Sequence, residues 1–214
     1  MKTIKYIISG MVIFSMTLGS FSNMMGQDVI RFSETYKSEE IISLLDRDNA
    51  SFSLLNREHV DPESSRLGNC SEDEVEAFWF YLQSKEVQSQ LPKDLSFAWG
   101  WKSETGNRSL FALRESQKVT PGQKDLTSVI MQESKRKGNY DLLLTFSKEG
   151  ADNWARMTKE NVGRNIAIVM NGKVVAAPIV KMEITGGKCM ISGDFSKTEA
   201  SEMKALLENR SEHP

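Results

Sequence analysis

The sequence predicts an α+β fold, in which about five or six strands form a mostly antiparallel sheet and about four helices pack on it. Three features lead to this prediction. An Asn-Gly pair at 171–172 separates two apolar runs, as in a β-hairpin whose turn needs positive φ at both central residues. Residues 71–74 and 196–199 match the capping box of a helix start. Large and small residues alternate over 95–101, as they do in a strand.

The remaining elements follow from periodicity and capping residues. Alternating or apolar runs predict strands over 95–101, 109–114, 141–146, 165–170, 173–184 and 188–192. Helical spacing predicts helices over 75–89 and 120–135, a third after Ser147 and a fourth after Ser196. In the second of these helices, Pro121 stands at the first helical position, where its missing N–H costs nothing.

The N-terminus predicts a secretory signal peptide over residues 1–26. Lys2 and Lys5 precede an apolar run over 6–18, which is shorter than the ~20 residues that a membrane span needs. An uncleaved N-terminal anchor is the alternative interpretation. Residues 27–70 give weak structural signals and are expected to form an N-terminal arm, whereas residues 71–210 are expected to form one well-formed domain.

Charge and cysteine content narrow the class of protein. The chain has 27 Lys and Arg against 29 Asp and Glu, whereas a nucleic-acid surface shows clustered basic residues. No nucleic-acid partner is therefore expected. The two cysteines, Cys70 and Cys189, are compatible with a disulfide and equally with two buried free thiols.

The last third of the chain, residues 140–208, carries several motifs in a fixed order. These are Leu142–Ala151, Trp154–Thr158, Asn161–Gly163, Ile166–Gly172, Ala177-Pro178 and Ile191–Ser196. The series resembles the head subdomain in the first periplasmic domain of SecD-type protein-export subunits. Residues 97–120 are similar to the earlier strands of that head, more loosely. The hairpin turn reads Asn-Gly here, where the family usually has Asp-Gly.

The shared positions have expected structural roles. Thr158, Asn161 and Gly163 are expected to end a helix, and Asn171 is expected to turn the hairpin. Glycines are expected to allow turns or close approaches at Gly150, Gly163, Gly172, Gly186, Gly187 and Gly193. These residues therefore predict the backbone structure of the domain, and they indicate no catalytic or ligand-binding role.

The resemblance implies a non-enzymatic protein-binding module that contacts preproteins or translocon components during export. It implies no cofactor and a location across the inner membrane, in the periplasm or envelope. SecD-type subunits also carry six membrane spans and a ferredoxin-like base, and neither is predicted here, so a free-standing head is expected. The alternative is a head fold recruited into an unrelated envelope or surface complex.

Two groups of residues are candidates for partner binding. Phe97, Trp99 and Trp101 lie on one face of a predicted strand, where they form either core or a grip on extended apolar polypeptide. The second group lies at a predicted sheet edge, where an added strand could pair with the backbone. Its members are Ala176, Ala177 and Pro178, and the last would limit the length of pairing.

Catalytic and metal chemistry have little support in the sequence. A hydrolytic triad would depend on His59, because the other histidine is the penultimate residue, and no Gly-x-Ser-x-Gly motif is present. Two Cys and two His without close spacing do not make a zinc site. Acidic residues over 72–76 suit the first turn of a helix better than a calcium site.

Overall fold

The computed structural model describes residues 29–45, 48–101 and 106–209, and the predicted signal peptide lies outside them. The strands are β1 Ile30–Thr35, β2 Arg66–Ser71, β3 Leu95–Trp99, β4 Asn107–Arg114, β5 Leu126–Glu133, β6 Tyr140–Phe146, β7 Ile166–Met170, β8 Lys173–Ala176 and β9 Lys188–Ile191. The helices are α1 Ser38–Ile42, α2 Val75–Leu82, α3 Lys85–Gln88, α4 Lys148–Glu160 and α5 Lys197–Glu208, with 3₁₀ turns at Ala50–Leu54 and Gln123–Asp125. The predicted α+β class with antiparallel pairing is confirmed, although the strands divide between two sheets.

The larger sheet has six strands in the order β2-β4-β1-β7-β8, with β3 also paired to β4. β1, the first strand along the chain, lies inside this sheet. Its Glu34 pairs with Arg114 of β4, and its Phe32 pairs with Ile168 of β7. The segment that was expected to be an arm therefore supplies β1 and β2 to this sheet. The domain boundary near Ser71 remains a prediction, and it would separate hydrogen-bonded strands.

The larger sheet curls until its two ends meet. Beyond β3, Gly100 forms a parallel bridge with Val174 of β8, and the Trp101 N–H donates to the Val174 carbonyl at 2.9 Å. Mostly small side chains fill the ring so formed: Ala98, Phe111, Leu113, Ala167, Val169 and Val174. This closure brings Trp101 beside the outer edge of β8.

The smaller sheet has the order β5-β6-β9 and covers one side of the main core. Helices α4 and α5 pack into the same core through Trp154, Ala200 and Met203. The Trp154 ring lies 5.0 Å from Phe32 and 6.0 Å from Phe146, so an aromatic cluster joins the two sheets. A second core, under α1 and α2, packs on β2 and β4.

The predicted helix over 120–135 is wrong. Only a 3₁₀ turn forms after Pro121, and the chain then enters β5, which pairs with β6. Thr127, Val129 and Ile130 are β-branched, and such residues favour a strand when a neighbouring strand is at hand. Tertiary pairing therefore overrides the helical spacing of the apolar residues.

The predicted hairpin is confirmed. Asn171 and Gly172 have φ of 47° and 76°, as the turn type requires, and they connect β7 to β8. The returning strand is shorter than predicted, because regular pairing stops at Ala176, two residues before Pro178.

Of the two predicted capping boxes, the one at Ser196 is confirmed. The Glu199 N–H donates to the Ser196 hydroxyl at 3.3 Å, and the Ser196 N–H donates to the Glu199 carboxylate at 2.9 Å. Ser71 instead ends β2, and α2 begins at Val75.

Candidate protein-binding surface

The three predicted aromatic residues divide between the two cores. Phe97 and Trp99 are half-buried against the second core, where Trp99 lies 6.4 Å from the Trp79 ring. Trp101 is half-buried against the main core. The strand ends at Trp99, so Trp101 lies beyond it and does not continue the same face.

Hydrogen bonding and charge hold Trp101 in place. Its indole N–H donates to the Glu199 carboxylate at 3.3 Å, and the Lys173 ammonium lies 5.7 Å from the ring centroid. The backbone N–H and hydroxyl of Ser196 lower the pKa of Glu199, with a smaller contribution from Trp101 and partial opposition from burial. The hydrogen bond between Trp101 and Glu199 thus joins the N-terminal cap of α5 to the end of the larger sheet.

The second predicted group, residues 176–178, begins at the last residue of β8 and continues into the segment that follows it. Ala176 pairs with Ile168, and the Ile166 N–H donates to the Pro178 carbonyl at 3.1 Å. Two residues later, the Val180 N–H donates to the Arg164 carbonyl at 2.9 Å. The segment therefore continues irregularly along the start of β7.

The outer edge of β8 is only partly open. At Val174 it accepts the Trp101 N–H, so an added strand could not pair along the whole of β8. Beyond Ala176, the backbone N–H of Ile179 has no hydrogen-bond partner among the described residues. The edge available to a partner is short, and Pro178 interrupts it.

The loops beside this segment expose several apolar side chains. Val162, Ile179 and Met182 are exposed, the last to 69 %, and Pro178 is exposed beside them. Their backbones are neighbours, since the Gly163 N–H donates to the Val180 carbonyl at 2.9 Å. We call Val162, Pro178, Ile179 and Met182 the hairpin surface.

Asn165 fixes the hairpin surface to the sheet. Its side chain is buried, donates to the Ala177 carbonyl at 2.6 Å and accepts the Ser65 N–H at 3.2 Å. Its own carbonyl accepts the Thr35 hydroxyl at 2.8 Å. Sequence reasoning missed this residue; the only signal was a polar side chain directly before a continuously apolar strand.

The predicted helix end is also tied to this segment. The Thr158 hydroxyl accepts the Ile184 N–H at 2.9 Å and donates to the Trp154 carbonyl, while the Asn161 amide donates to the Met157 carbonyl. Gly163 has a φ of 82°, which a side chain would strain.

The remaining glycines differ in how tightly they are packed. A Cβ on Gly150 would lie 2.6 Å from the Asp125 Cβ, and one on Gly193 would lie 2.7 Å from the Phe195 ring. Gly187 has a φ of 61° and would meet Ala151 at 2.9 Å, whereas a Cβ on Gly186 would meet no atom within 4 Å.

Cys70 and Cys189 are both free and buried, and they lie in different cores. Burial raises the pKa of each thiol to about 12. Of the two interpretations left open by the sequence, the structure has the buried free thiols.

His59 does not occupy a cleft. Its side chain is 88 % exposed, and its ionic neighbour Glu58, 3.5 Å away, is exposed as well. A triad needs a histidine positioned between a carboxylate and a nucleophile, so this geometry gives the hydrolase hypothesis no support. Within residues 29–45, 48–101 and 106–209, no three or more His, Cys, Asp or Glu side chains are grouped to hold a metal ion.

Among the residues that the structure describes, no helix has the length and apolar character to cross a membrane.

Comparison with known proteins identifies relatives for the C-terminal half. A protein translocase subunit SecDF from Thermus thermophilus is 40 % identical over 74 residues, which are 35 % of this chain and 10 % of the relative. A protein translocase subunit SecD from Acidaminococcus fermentans is 39 % identical over 90 residues, 40 % of this chain and 22 % of the relative. The chain thus matches only a small part of these relatives.

A solved structure described as "Structure and function of a membrane component SecDF that enhances protein export" is 20 % identical, with a TM-score of 0.43 over 91 % of this chain and 70 % of that one. The family profile described as "SecDF, P1 head subdomain" matches residues 102–211 of the 214, which is more than half of the chain. The chain therefore belongs to the family of the SecDF P1 head subdomain.

Proposed function

We propose that this chain is a non-enzymatic polypeptide-binding module that acts in protein export and contacts preproteins or translocon components. The observation that carries the proposal is the family match over residues 102–211, since its relatives are named as subunits of a protein translocase. In this proposal the chain acts in the periplasm or at the envelope, after removal of the predicted signal peptide.

The hairpin surface is the proposed contact site. It lies inside the matched residues, and it exposes Ile179 and Met182 where a polar loop surface would be expected. Contact with an apolar partner removes exposed apolar side chains from water, and this favours binding. Unfolded or emerging polypeptides expose such side chains along an extended backbone, so they match this surface.

The base of the hairpin surface is rigid. Asn165, Thr158 and the backbone bonds at Gly163 and Val180 hold the segment against β7 and the end of α4. A surface that is already ordered loses little conformational entropy on binding, so more of the contact energy remains as affinity. Methionine suits such a role because its side chain adapts to different partners.

Photo-crosslinking in the native envelope tests the proposal. A photoreactive amino acid would replace Met182 in the full chain, and crosslinked products would be identified by mass spectrometry. The control places the same amino acid at Glu58, which is exposed but lies outside the matched residues.

We expect Met182 to crosslink to secreted clients or translocon subunits, and Glu58 to crosslink to neither. A single defined partner unrelated to export, captured at Met182, would instead favour recruitment of the head fold into another envelope complex. Equal client capture at both positions would contradict the hairpin surface as the contact site.

A further inference from the structure

The smaller sheet leaves one long strand edge open. β5 pairs with β6 on one side, and no other strand among the described residues pairs with its other side. Just past the strand, the Ser134 N–H donates to the Asn139 carbonyl at 2.8 Å, so the backbone of even-numbered residues faces β6. The backbone N–H and C=O groups of Val129, Met131 and Glu133 therefore face outward, in position for another strand.

The centre of this edge lacks the usual protection, because the one charged residue of β5, Glu133, stands at its end. Proteins blunt an exposed edge strand with a charge, a proline or a bulge. Residues 126–132 contain no charged residue, proline or glycine. The one irregularity lies at the start, between Leu126 and Ser128, and leaves the rest of the strand regular.

Apolar surface flanks the edge on the outer face of the sheet, and an open groove with both polar and apolar lining flanks it on the inner face. On the outer face, Ile130, Leu143 and Met190 stand side by side across the three strands. Ile130 is 51 % exposed and Met190 44 %, so this row is uncovered. On the inner face, the side chains of Val129 and Leu207 line an open groove between β5 and the end of α5.

Charges mark the two ends of the edge. Lys124 precedes β5, and Lys135 and Lys137 follow it; all three are exposed. Four carboxylates are also near. Asp125, directly before β5, is buried and accepts the Gly122 N–H, Asp194 is paired with Arg136, and Glu208 is paired with Lys204. The fourth, Glu133, is exposed on the strand itself. The edge is thus an apolar centre between basic ends.

We propose that β5 takes up an extended polypeptide as a fourth strand of the smaller sheet. The partner has apolar side chains at alternate positions, which cover Ile130 on the outer face or fill the groove, and acidic residues near its ends, which face the lysines. This site is separate from the hairpin surface, and the inference does not depend on the proposed export function.

A second copy of the chain fits the edge less well. Antiparallel pairing of two β5 strands with Ile130 opposite Ile130 places Lys124 of each copy beside the basic stretch 135–137 of the other. Such like-charge contacts oppose association, and the two-fold symmetry repeats them. The charge pattern therefore favours a partner of different sequence.

A synthetic peptide tests the proposal directly. The probe has ten residues, with valine and threonine alternating in the centre and two glutamates at each end. Two adjacent central prolines in a control peptide remove one backbone donor from each of its edges. Binding to the full chain is measured by fluorescence anisotropy, and amide hydrogen exchange is followed residue by residue.

We expect the probe to bind and the proline peptide to bind at least tenfold more weakly. Added probe should slow exchange at Val129, Met131 and Glu133, while Ile130 and Gln132, which already face β6, should change little. Ile130→Lys should weaken binding at least tenfold, and the matched change Met190→Lys, on the far strand of the same row, should leave it within twofold.

Three results would overturn the proposal. The first is protection confined to other residues, such as 176–182, and the second is equal binding of the probe and proline peptides. The third is protection of the β5 edge without probe, either on raising the protein concentration or on adding vesicles of phosphatidylethanolamine and phosphatidylglycerol. In those two cases the edge serves a second copy or a membrane.

Discussion

At the scale of single residues, Glu199 connects helix α5, which the sequence predicts well, to Trp101, whose contact with that helix the sequence does not predict. It closes the capping box of α5, which the sequence predicts from spacing alone, and it also accepts the indole N–H of Trp101, which no spacing could reveal. Its carboxylate is used in the ionised form by every one of these donors, so the pKa of Glu199 is lowered.

Glu199→Ala should lower the free energy of unfolding at pH 7 by about 0.3–1 kcal/mol, the usual contribution of an acidic side chain in the first turn of a helix. A lowered folded-state pKa stabilises above the ordinary glutamate value of about 4.3 and is lost as the pH falls through the folded value. The difference between wild type and variant should therefore shrink on acidification. Urea unfolding at pH 7 and pH 3 measures it, with Glu202→Ala on the exposed side of α5 as the control.

Gly150 and Gly186 are both glycines that the sequence predicts to allow turns or close approaches, but only Gly150 is sterically required. A Cβ on Gly150 would be 2.6 Å from Asp125, whereas a Cβ on Gly186 would stand in open space. Gly150→Ala should lower the unfolding free energy by about 1–3 kcal/mol, as other overpacked sites do. Gly186→Ala should change it by less than about 0.5 kcal/mol. Thermal unfolding of both variants measures the contrast, and equal effects would count against the close packing at Gly150.

The two cysteines should be unreactive in the native state. Since burial raises both pKa values to about 12, very little thiolate exists at pH 8, and access is blocked as well. A thiol-disulfide reagent should label neither residue in native protein and both in guanidinium. A protein that shows no free thiol after unfolding without reductant would contradict the two-thiol structure.

At the scale of elements, the sequence predicts well those helices and turns that local signals define, and it predicts long-range strand pairing poorly. The hairpin, α4 and α5 carry their own turn residues and caps, so they are predictable. β5 has helical spacing and becomes a strand only because β6 is beside it. The candidate surface divides in the same way: the sequence singled out Pro178, but the burial of Phe97 and the role of Asn165 depend on folding.

β1 is an internal strand of the larger sheet, although the sequence predicts only an N-terminal arm there. It lies between β4 and β7, and its Ile30 and Phe32 side chains belong to the main core. A fragment that begins at Ser71 should therefore fail to fold, because it loses two strands and exposes the core.

Circular dichroism and urea unfolding of this fragment, compared with a fragment that begins at Gln27, measure the effect. We expect a cooperative transition only in the longer fragment. A cooperative transition in the shorter fragment would instead support the domain boundary near Ser71.

At the scale of the whole molecule, two candidate binding surfaces are built on one scaffold. The ring of the larger sheet and the main core hold the hairpin surface at the end of β8 and the open edge at β5. The family resemblance could be read from the motifs because caps, turns and close-packed glycines leave local marks in sequence. Exposed apolar side chains leave no such mark, so Met182 and Ile130 become visible only when burial is known.

A binding titration tests whether the hairpin surface is the site that binds extended apolar polypeptide. The full chain is titrated against a fluorescently labelled, unfolded segment of a secreted protein. Wild type is compared with the double variant Ile179→Ser, Met182→Ser. The control is Phe80→Ser, which removes a more exposed apolar side chain (82 %) outside the matched residues.

We expect the double variant to raise the dissociation constant at least tenfold, about 1.4 kcal/mol, while Phe80→Ser leaves it unchanged. Wild-type affinity in the double variant, or a loss of affinity in Phe80→Ser alone, would exclude the hairpin surface as the binding site.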